Sequence, residues 1–453
     1  MSKKIKNIII ANETEAFAKI ISCITDKRTR AEKIDFEDYL ANRSLFWEGD
    51  DKIVISSVPI IPALLDSVTD KVGFRNVFNW HPSKKGMNLS SSIFQDKKLL
   101  EKLKKVIREN PTVLISPYAF TKELRRLLDN LRKSGLTFSV DQEPERSDYR
   151  IVSRLDSKKG FRLEMESLRE SGEDIVSPIF RICKNRAEAL AVLTYFHENN
   201  LSCIVKASYG EGGWGLITIH RENFTSAAYL RKYVRERFLK DPIWKSGPIV
   251  IEEFIASNNG WLCSPSVEFF IDKNGTNVTY ICNQLLDKSG AFIGAYIGKG
   301  CVGPIMKASI NRIGIIIARH YWALGYRGFF DIDFVISASG AAVPIETNAR
   351  RTGGTHLFDL ARYIFGDNWQ SKISALSADS FEYGKKVLPA SYIYKKMKPI
   401  LFPIKGTRKG IVITLLSIKK PVLGFVIFGS NREEVLRIRA KLTHIWKRDI
   451  VMS

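Results

Sequence analysis

Long hydrophobic runs are missing from this sequence. Its apolar stretches, such as Ile8–Ala11 and Gly424–Phe428, are strand-sized and fall far short of the ~18 apolar residues that cross a bilayer. No membrane role is expected. Near the start, lysines precede a short apolar stretch, but Asn12, Glu13 and Glu15 cut it off, so no secretory signal is read there. Cysteine is sparse. Cys23, Cys183, Cys203, Cys263, Cys282 and Cys301 are scattered without a CxxC pair, which excludes a disulfide framework and a zinc site of that type. The six histidines form no HExxH, and no GxGxxG marks a dinucleotide site. A cytoplasmic protein is the natural expectation.

What is present is a globular composition. The 453 residues are 45 % hydrophobic and 26 % charged, enough for a large core and against disorder as the main state. At ~150 residues per domain, about three domains fit. Lys and Arg exceed Asp and Glu by 22, and the excess is uneven. From Lys385 onward sixteen Lys or Arg face only Glu433, Glu434 and Asp449, so this segment carries +13. Such a surface attracts polyanions or simply serves solubility.

Residues 1–147 alternate strand-like runs (Lys4–Ala11, Lys52–Ser57, Thr112–Ser116) with helical patterns (Thr14–Ile24, Asp96–Arg108, Thr121–Lys133). That alternation predicts an open α/β domain with a parallel sheet. Ser147–Gly172 reads as a polar, basic connection. Residues 148–384 form a second domain. Strands are expected at Ile175–Cys183, Ser202–Ala207, Leu216–His220 and Ile249–Ile255, and an antiparallel group at Ser266–Ile271, Asn277–Asn283 and Ala291–Ile297. Residues 385–453 are expected as a small basic α+β module, with strands near Ile411–Leu416 and Val422–Phe428 and a helix Arg432–Trp446.

Three motifs carry chemistry. In the first, a strand ends in Lys206 and runs through Ser208, Gly210, Gly212, Gly213 and Gly215 into another strand. Glycines let backbone N–H groups approach phosphate oxygens, and a lysine adds a point charge. In the second, the apolar strand at Ile249 ends in Glu252, Glu253, Phe254 and Ile255, a mixture that suits the edge of an adenine. In the third, Asp333 and Glu346 sit on two apolar strands joined by the Ser337–Gly340 turn. Strand periodicity puts Glu346 and Asn348 on one face, and pairing can bring Asp333 beside them. Two carboxylates and an amide oxygen are hard ligands for Mg²⁺. Arg350, two residues on, can clamp an anion at the same place.

The order of these motifs resembles the ATP-grasp superfamily of carboxylate–amine ligases. The stretch Glu346–His356 is most similar to peptide ligases of the pheganomycin-biosynthesis type, which carry a pre-ATP-grasp N-terminal domain. The resemblance spans residues 150–375, extends over 1–150 as the pre-ATP-grasp domain, and is weak after 385. It implies an α/β fold in three parts: pre-ATP-grasp, ATP-grasp and the small basic module. It implies ATP and Mg²⁺ (or Mn²⁺) as cofactors. By the same resemblance Lys206 and one of Lys158 and Lys159, with Lys158 preferred, meet the phosphates. Ser208–Gly215 form the mobile lid, Glu252–Ile255 the adenine hinge, and Glu268 the acid near the ribose. Asp333, Glu346 and Asn348 are the implied metal ligands, and Arg327 and Arg350 hold the transferred phosphoryl group. Arg351 and His356 lie beside the site and read as packing or solvent residues.

The implied reaction phosphorylates a carboxylate with ATP, and an amine then attacks the acyl phosphate. Phosphoryl transfer needs positioning and charge neutralisation more than covalent help, and a closing lid keeps water from the intermediate. The implied partners are a small-molecule carboxylate and an amine, an amino acid or a peptide. Neither membrane nor nucleic acid is expected, and the oligomeric state is left open, with a homodimer as one option. The alternatives are another ATP-grasp ligase or carboxylase, an inactive nucleotide-binding relative, and a nucleic-acid-binding protein that uses the basic tail.

Overall fold

Three consecutive isoleucines, Ile8–Ile10, are fully buried, as a strand covered on both faces requires. They form the centre of a parallel sheet. Its strands are β1 (Asn7–Ile10), β2 (Lys52–Ile55), β3 (Val77–Trp80), β4 (Leu114–Pro117) and β5 (Ser139–Val140), in the order β3-β2-β1-β4-β5. Helices Lys97–Glu109 and Lys122–Lys133 cover it with leucine stripes; Leu103, Leu124, Leu127, Leu128 and Leu131 are buried. The strand order reverses beside β1, which opens a crevice at the carboxyl ends of β1 and β4. Asn12 and Tyr118 lie there, joined by a 3.0 Å bond from the Tyr118 N–H to the Asn12 side chain. The computed structural model describes residues 4–211, 213–245, 247–257, 264–287 and 290–451.

A smaller antiparallel sheet follows. It comprises β6 (Phe180–Cys183), β7 (Cys203–Glu211), β8 (Trp214–Ile219) and β9 (Ile249–Glu253), ordered β6-β9-β7-β8. Helices Arg186–Glu198 and Ala227–Lys240 accompany it. Before it stand two helices, Tyr149–Leu155 and Lys158–Glu170, where a polar connection was expected. Ser157 caps the second by accepting from the Gly160 N–H at 3.0 Å. Phe161, Met165 and Leu168 bury its apolar side. Gly160 is required because a Cβ would lie 1.9 Å from the Arg154 carbonyl oxygen.

The largest sheet has eight strands. They are β10 (Pro265–Asp272), β11 (Gly275–Leu286), β12 (Phe292–Gly298), β13 (Gly328–Ile336), β14 (Ala342–Asn348), β15 (Ser374–Glu382), β16 (Gly410–Leu416) and β17 (Val422–Gly429). Their order is β14-β13-β10-β11-β12-β15-β17-β16. The strands of residues 385–453 therefore do not make a sheet of their own. β17 pairs with β15 along its length, Ala375 opposite Phe428 and Leu376 opposite Ile427. Helix Arg432–Val451 seals this end with Val435, Ile438, Leu442 and Trp446. The apolar pattern of these strands was legible, but their pairing partner was not. Among the described residues no helix is long and apolar enough to cross a membrane.

Candidate active site

Three adjacent strands assemble the acidic residues. On β13 and β14, Asp333 stands opposite Glu346 and Asp331 opposite Asn348. On β10, Ser266 and Glu268 stand opposite Asp333 and Asp331. Directly opposed residues share a sheet face. Asp331, Asp333, Glu346, Asn348 and Ser266 line a cavity of about 750 Å³ together with Arg350, Tyr118 and Gln284. The expected trio thus meets on one face. Asp331, two residues before Asp333, completes it and was missed, although strand periodicity places it there.

The side chains are held by one another. Asn348 donates from its amide to Asp331 at 2.9 Å and Asp333 at 3.3 Å, and its Oδ1 accepts from Arg350 at 3.0 Å. Gln284 donates to Asp333. Lys158 Nζ lies 2.8 Å from Glu346. Lys158 is 7 % exposed, whereas Lys159 is half-buried and makes no such contact. Arg350 pairs with Asp156 and reaches the Tyr118 hydroxyl at 3.3 Å. The carboxyl end of β4 therefore supplies a residue that sequence reading of the first domain did not find. Among the described residues no three His, Cys, Asp or Glu side chains form a ready cation cage. A lysine and two amides hold the acids instead.

The electrostatics reflect a surplus of acid. Desolvation, then repulsion from Asp331 and Glu346, pushes the Asp333 carboxyl well above the usual range. Desolvation, with Glu268 and Glu346 adding repulsion, pushes Asp331 up to about 7. Burial alone would raise Glu346 too, but Lys158 and Lys206 hold it below the usual value.

Lys206 and Glu252 form a second group. Glu252 is buried, paired with Lys206 and with Arg162 Nε at 2.6 Å. Lys206 also bonds the Ile345 carbonyl at 3.4 Å, which ties the small sheet to β14. Glu253 accepts from the Ile179 N–H at 3.3 Å, Phe254 stacks edge-on against His220 at 5.0 Å, and Ile255 is half-buried. These hinge residues and Lys206 do not line the cavity. Of the glycine-rich hairpin, Ser208 is buried with its N–H on the Pro248 carbonyl, while Gly210 and Trp214 line the cavity. Gly213 and Gly215 take positive φ, and Gly212 lies outside the described residues. Trp214 donates to Asp241 at 2.5 Å, and Lys19 sits 3.5 Å over the Tyr209 ring. The hairpin is folded down onto the site.

Two expected residues are elsewhere. Arg327 pairs with Glu145 and donates to the Trp322 and Tyr326 carbonyls. It precedes β13 and does not line the cavity. Glu268 is fully buried and faces no open space for a ribose. It accepts from Thr355 at 2.6 Å, Thr352 at 3.0 Å and Tyr280 at 3.1 Å. Desolvation pushes it up to about 7. Its work is to fasten the loop that presents Arg350. Gly354 lets that loop close, since a Cβ would lie 2.4 Å from the Tyr280 hydroxyl. Arg351 and His356 are fully buried packing residues.

No family model matches this chain. It is 23 % identical over 405 residues to an L-propargylglycine–L-glutamate ligase of Streptantibioticus cattleyicolor, covering 81 % of this chain and 76 % of that protein. In sequence the chain is thus similar to ATP-grasp carboxylate–amine ligases. A [butirosin acyl-carrier protein]–L-glutamate ligase of Niallia circulans is 26 % identical over 166 residues, 35 % of each chain. In fold, the chain superposes on biotin carboxylase of Campylobacter jejuni with a TM-score of 0.54 at 13 % identity, covering 98 % of this chain and 91 % of that one. That structure holds a nucleotide. The nucleic-acid reading of the basic tail is not favoured.

Proposed function

We propose that this ligase phosphorylates a carboxylate with ATP and joins the resulting acyl phosphate to an amine, with an amino acid among its substrates. The observation that carries the reading is the meeting of Asp331, Asp333, Glu346 and Asn348 with Lys158 and Arg350 at one cavity. The donor set fits a divalent ion: two opposed carboxylates, an amide oxygen and a buried excess of negative charge. Asp333, Glu346 and Asn348 would hold Mg²⁺, which supplies charge neutralisation to phosphate oxygens.

The chain's own residues do the rest. Lys158, freed from Glu346, and Lys206 neutralise phosphate oxygens. Arg350 stabilises charge on the transferred group, oriented by Asp156 and Asn348. The Gly210–Trp214 hairpin excludes water from the acyl phosphate. Glu252 and Arg162 fix Lys206 in place, and Glu252–Ile255 flank the adenine. Both ligases named above have L-glutamate as one of the joined partners, so L-glutamate is the first substrate to try. An ATP-consuming reaction of this kind belongs in the cytoplasm.

The test is ADP release from ATP and Mg²⁺ with L-glutamate and pooled amines, for wild type and Glu346→Ala. Turnover that needs both a carboxylate and an amine, falls at least about a hundredfold in the variant, and yields a product heavier by the amine less water supports the reading. ATP turnover independent of any carboxylate overturns it.

A further inference from the structure

Arg350 is held from two sheets. Its guanidinium donates from Nη1 to Asp156, from Nη2 to the Asn348 Oδ1 at 3.0 Å and from Nε to the Tyr118 hydroxyl at 3.3 Å. Asn348 ends β14, whereas Tyr118 directly follows β4 of the parallel sheet. Phe17, from the segment after β1, adds a second contact on that side. Its ring centre lies 4.9 Å from the guanidinium carbon, a cation–π distance. The main chain stitches the same seam, since the Arg351 N–H donates to the Tyr118 carbonyl at 3.1 Å. Tyr118 is itself pinned. The Asn12 Oδ1 accepts from the Tyr118 and Ala119 N–H groups at 3.0 and 3.3 Å, and the Trp47 ring stacks on it at 6.3 Å.

A guanidinium presents its N–H donors in one plane. Asp156 and Asn348 hold that plane at its Nη end, and both serve other partners as well. Asp156 also accepts from the Ala349 N–H at 2.8 Å, and Asn348 also bonds Asp331 and Asp333. Tyr118 holds the Nε end, and the Phe17 ring lies against the same group. Tyr118 and Phe17 are each 4 % exposed, so neither swings away without disturbing the core around it. A group that stabilises developing charge must meet its oxygen closely, and a displacement of about 1 Å can cost on the order of a hundredfold in rate. Contacts that fix the plane of Arg350 therefore bear on the reaction.

We propose that Tyr118 and Phe17 are positioning residues that orient Arg350 toward the transferred phosphoryl group. Tyr118 sets the Nε end through its hydroxyl, and Phe17 supports the guanidinium with its ring. The parallel-sheet region thereby takes part in the chemistry through Arg350. Phe17 does not line the cavity, so its effect on the reaction passes through its neighbours and not through contact with a substrate. This inference rests on the ligase reading above and adds two residues to its machinery.

A double-mutant cycle tests this, because two groups that act through one contact do not add. Full-length wild type, Tyr118→Phe, Arg350→Met and the double variant are compared by ADP release from ATP and Mg²⁺ with L-glutamate and pooled amines. Tyr118→Phe is expected to lower kcat about tenfold, with KM for ATP unchanged within about twofold and the melting temperature unchanged within about two degrees. On the Arg350→Met background the same change is expected to cost less than about twofold. A full loss on that background overturns the proposal, because Tyr118 then acts on the substrate itself. An unchanged kcat in Tyr118→Phe overturns it as well, and so does a loss that comes with a lowered melting temperature. If Tyr118→Phe does not fold, Phe17→Leu takes its place. It removes the ring and keeps an apolar side chain, and the expected loss is about threefold in the wild type and none on the Arg350→Met background. Equal losses on the two backgrounds overturn the proposal and leave the ligase reading standing. A wild type without carboxylate-dependent turnover removes the ligase reading, and this proposal falls with it.

Discussion

Arg350 and Arg351 are neighbours in sequence and serve two different charge clusters. Arg351 is fully buried at the seam between the parallel sheet and helix Thr355–Phe365. It lies 2.8 Å from Glu48, 2.6 Å from Asp141 and 3.8 Å from Asp359, and its guanidinium packs on the rings of Trp47 and Phe329. Lys52 adds a second cation nearby. Two cations and three acids close on one another, and none of them lines the cavity. In the Arg350 cluster, Arg350 and Lys158 face four acids, Asp156, Asp331, Asp333 and Glu346, and most of these residues line the cavity. The first cluster is nearly balanced by the chain itself. The second is left in deficit of positive charge where a ligand can enter. Burial and perturbed titration occur in both, so neither identifies a site by itself; the uncompensated charge facing open space does.

The sharpest test of this contrast is to remove each arginine. Arg351→Met strands the buried carboxylates of Asp141 and Asp359 and the half-buried Glu48, and breaking a buried pair costs about 3–5 kcal/mol. The expected result is a large loss of melting temperature or insoluble protein, measured by thermal unfolding. Arg350→Met is expected to keep the wild-type melting temperature within a few degrees while kcat/KM for ADP release drops roughly a hundredfold or more. If the two variants behaved alike, the division into a structural and a functional cluster would be wrong.

The closed cluster also carries a pH signature. Desolvation pushes Asp141 and Asp359 up to about 6 and Lys52 down to about 7. Between their ordinary range and pH 6 the folded acids hold protons the unfolded chain has lost, so their contribution to stability falls as pH rises. Above pH 7 the unfolded chain keeps the lysine proton that folded Lys52 has released, so stability rises toward pH 10. The cluster is least favourable between pH 6 and 7. Melting curves of wild type minus Lys52→Met should climb above pH 7, and a flat difference would dismiss the assignment.

A smaller effect separates adjacent lysines. Lys158→Ala is expected to lower ADP release tenfold or more, because its ammonium faces Glu346 at the cavity. Lys159→Ala should change it less than about twofold, as a half-exposed surface charge does little. Parallel kinetics on the two variants check this, and equal losses would refute it.

Much of the site was legible because its logic is local. Alternation along β13 and β14 and the short turn between them bring Asp333, Glu346 and Asn348 together from sequence periodicity alone. The same periodicity pointed at Asp331, but the residue reads as an ordinary acid until its neighbours are seen. Arg327 was expected at the site only through the resemblance; in the fold it pairs with Glu145 and does not line the cavity. Glu268 lies in the expected strand, yet three hydroxyls from Tyr280, Thr352 and Thr355 close over it. No spacing rule encodes that cover.

The sequence by itself determined most of the element types, the helices of 149–170 excepted, and with them the α/β architecture, the glycine-rich hairpin and the acid–amide pattern, since each follows from short-range periodicity and residue chemistry. Only the tertiary structure decided that residues 410–429 extend the eight-stranded sheet. Only the tertiary structure brought Tyr118, Arg43 and Asp379 to one cavity and made Arg351 structural while leaving Arg350 at the site. Those outcomes depend on pairings across hundreds of residues, where burial and charge balance are properties of the assembled fold and not of any local stretch of chain.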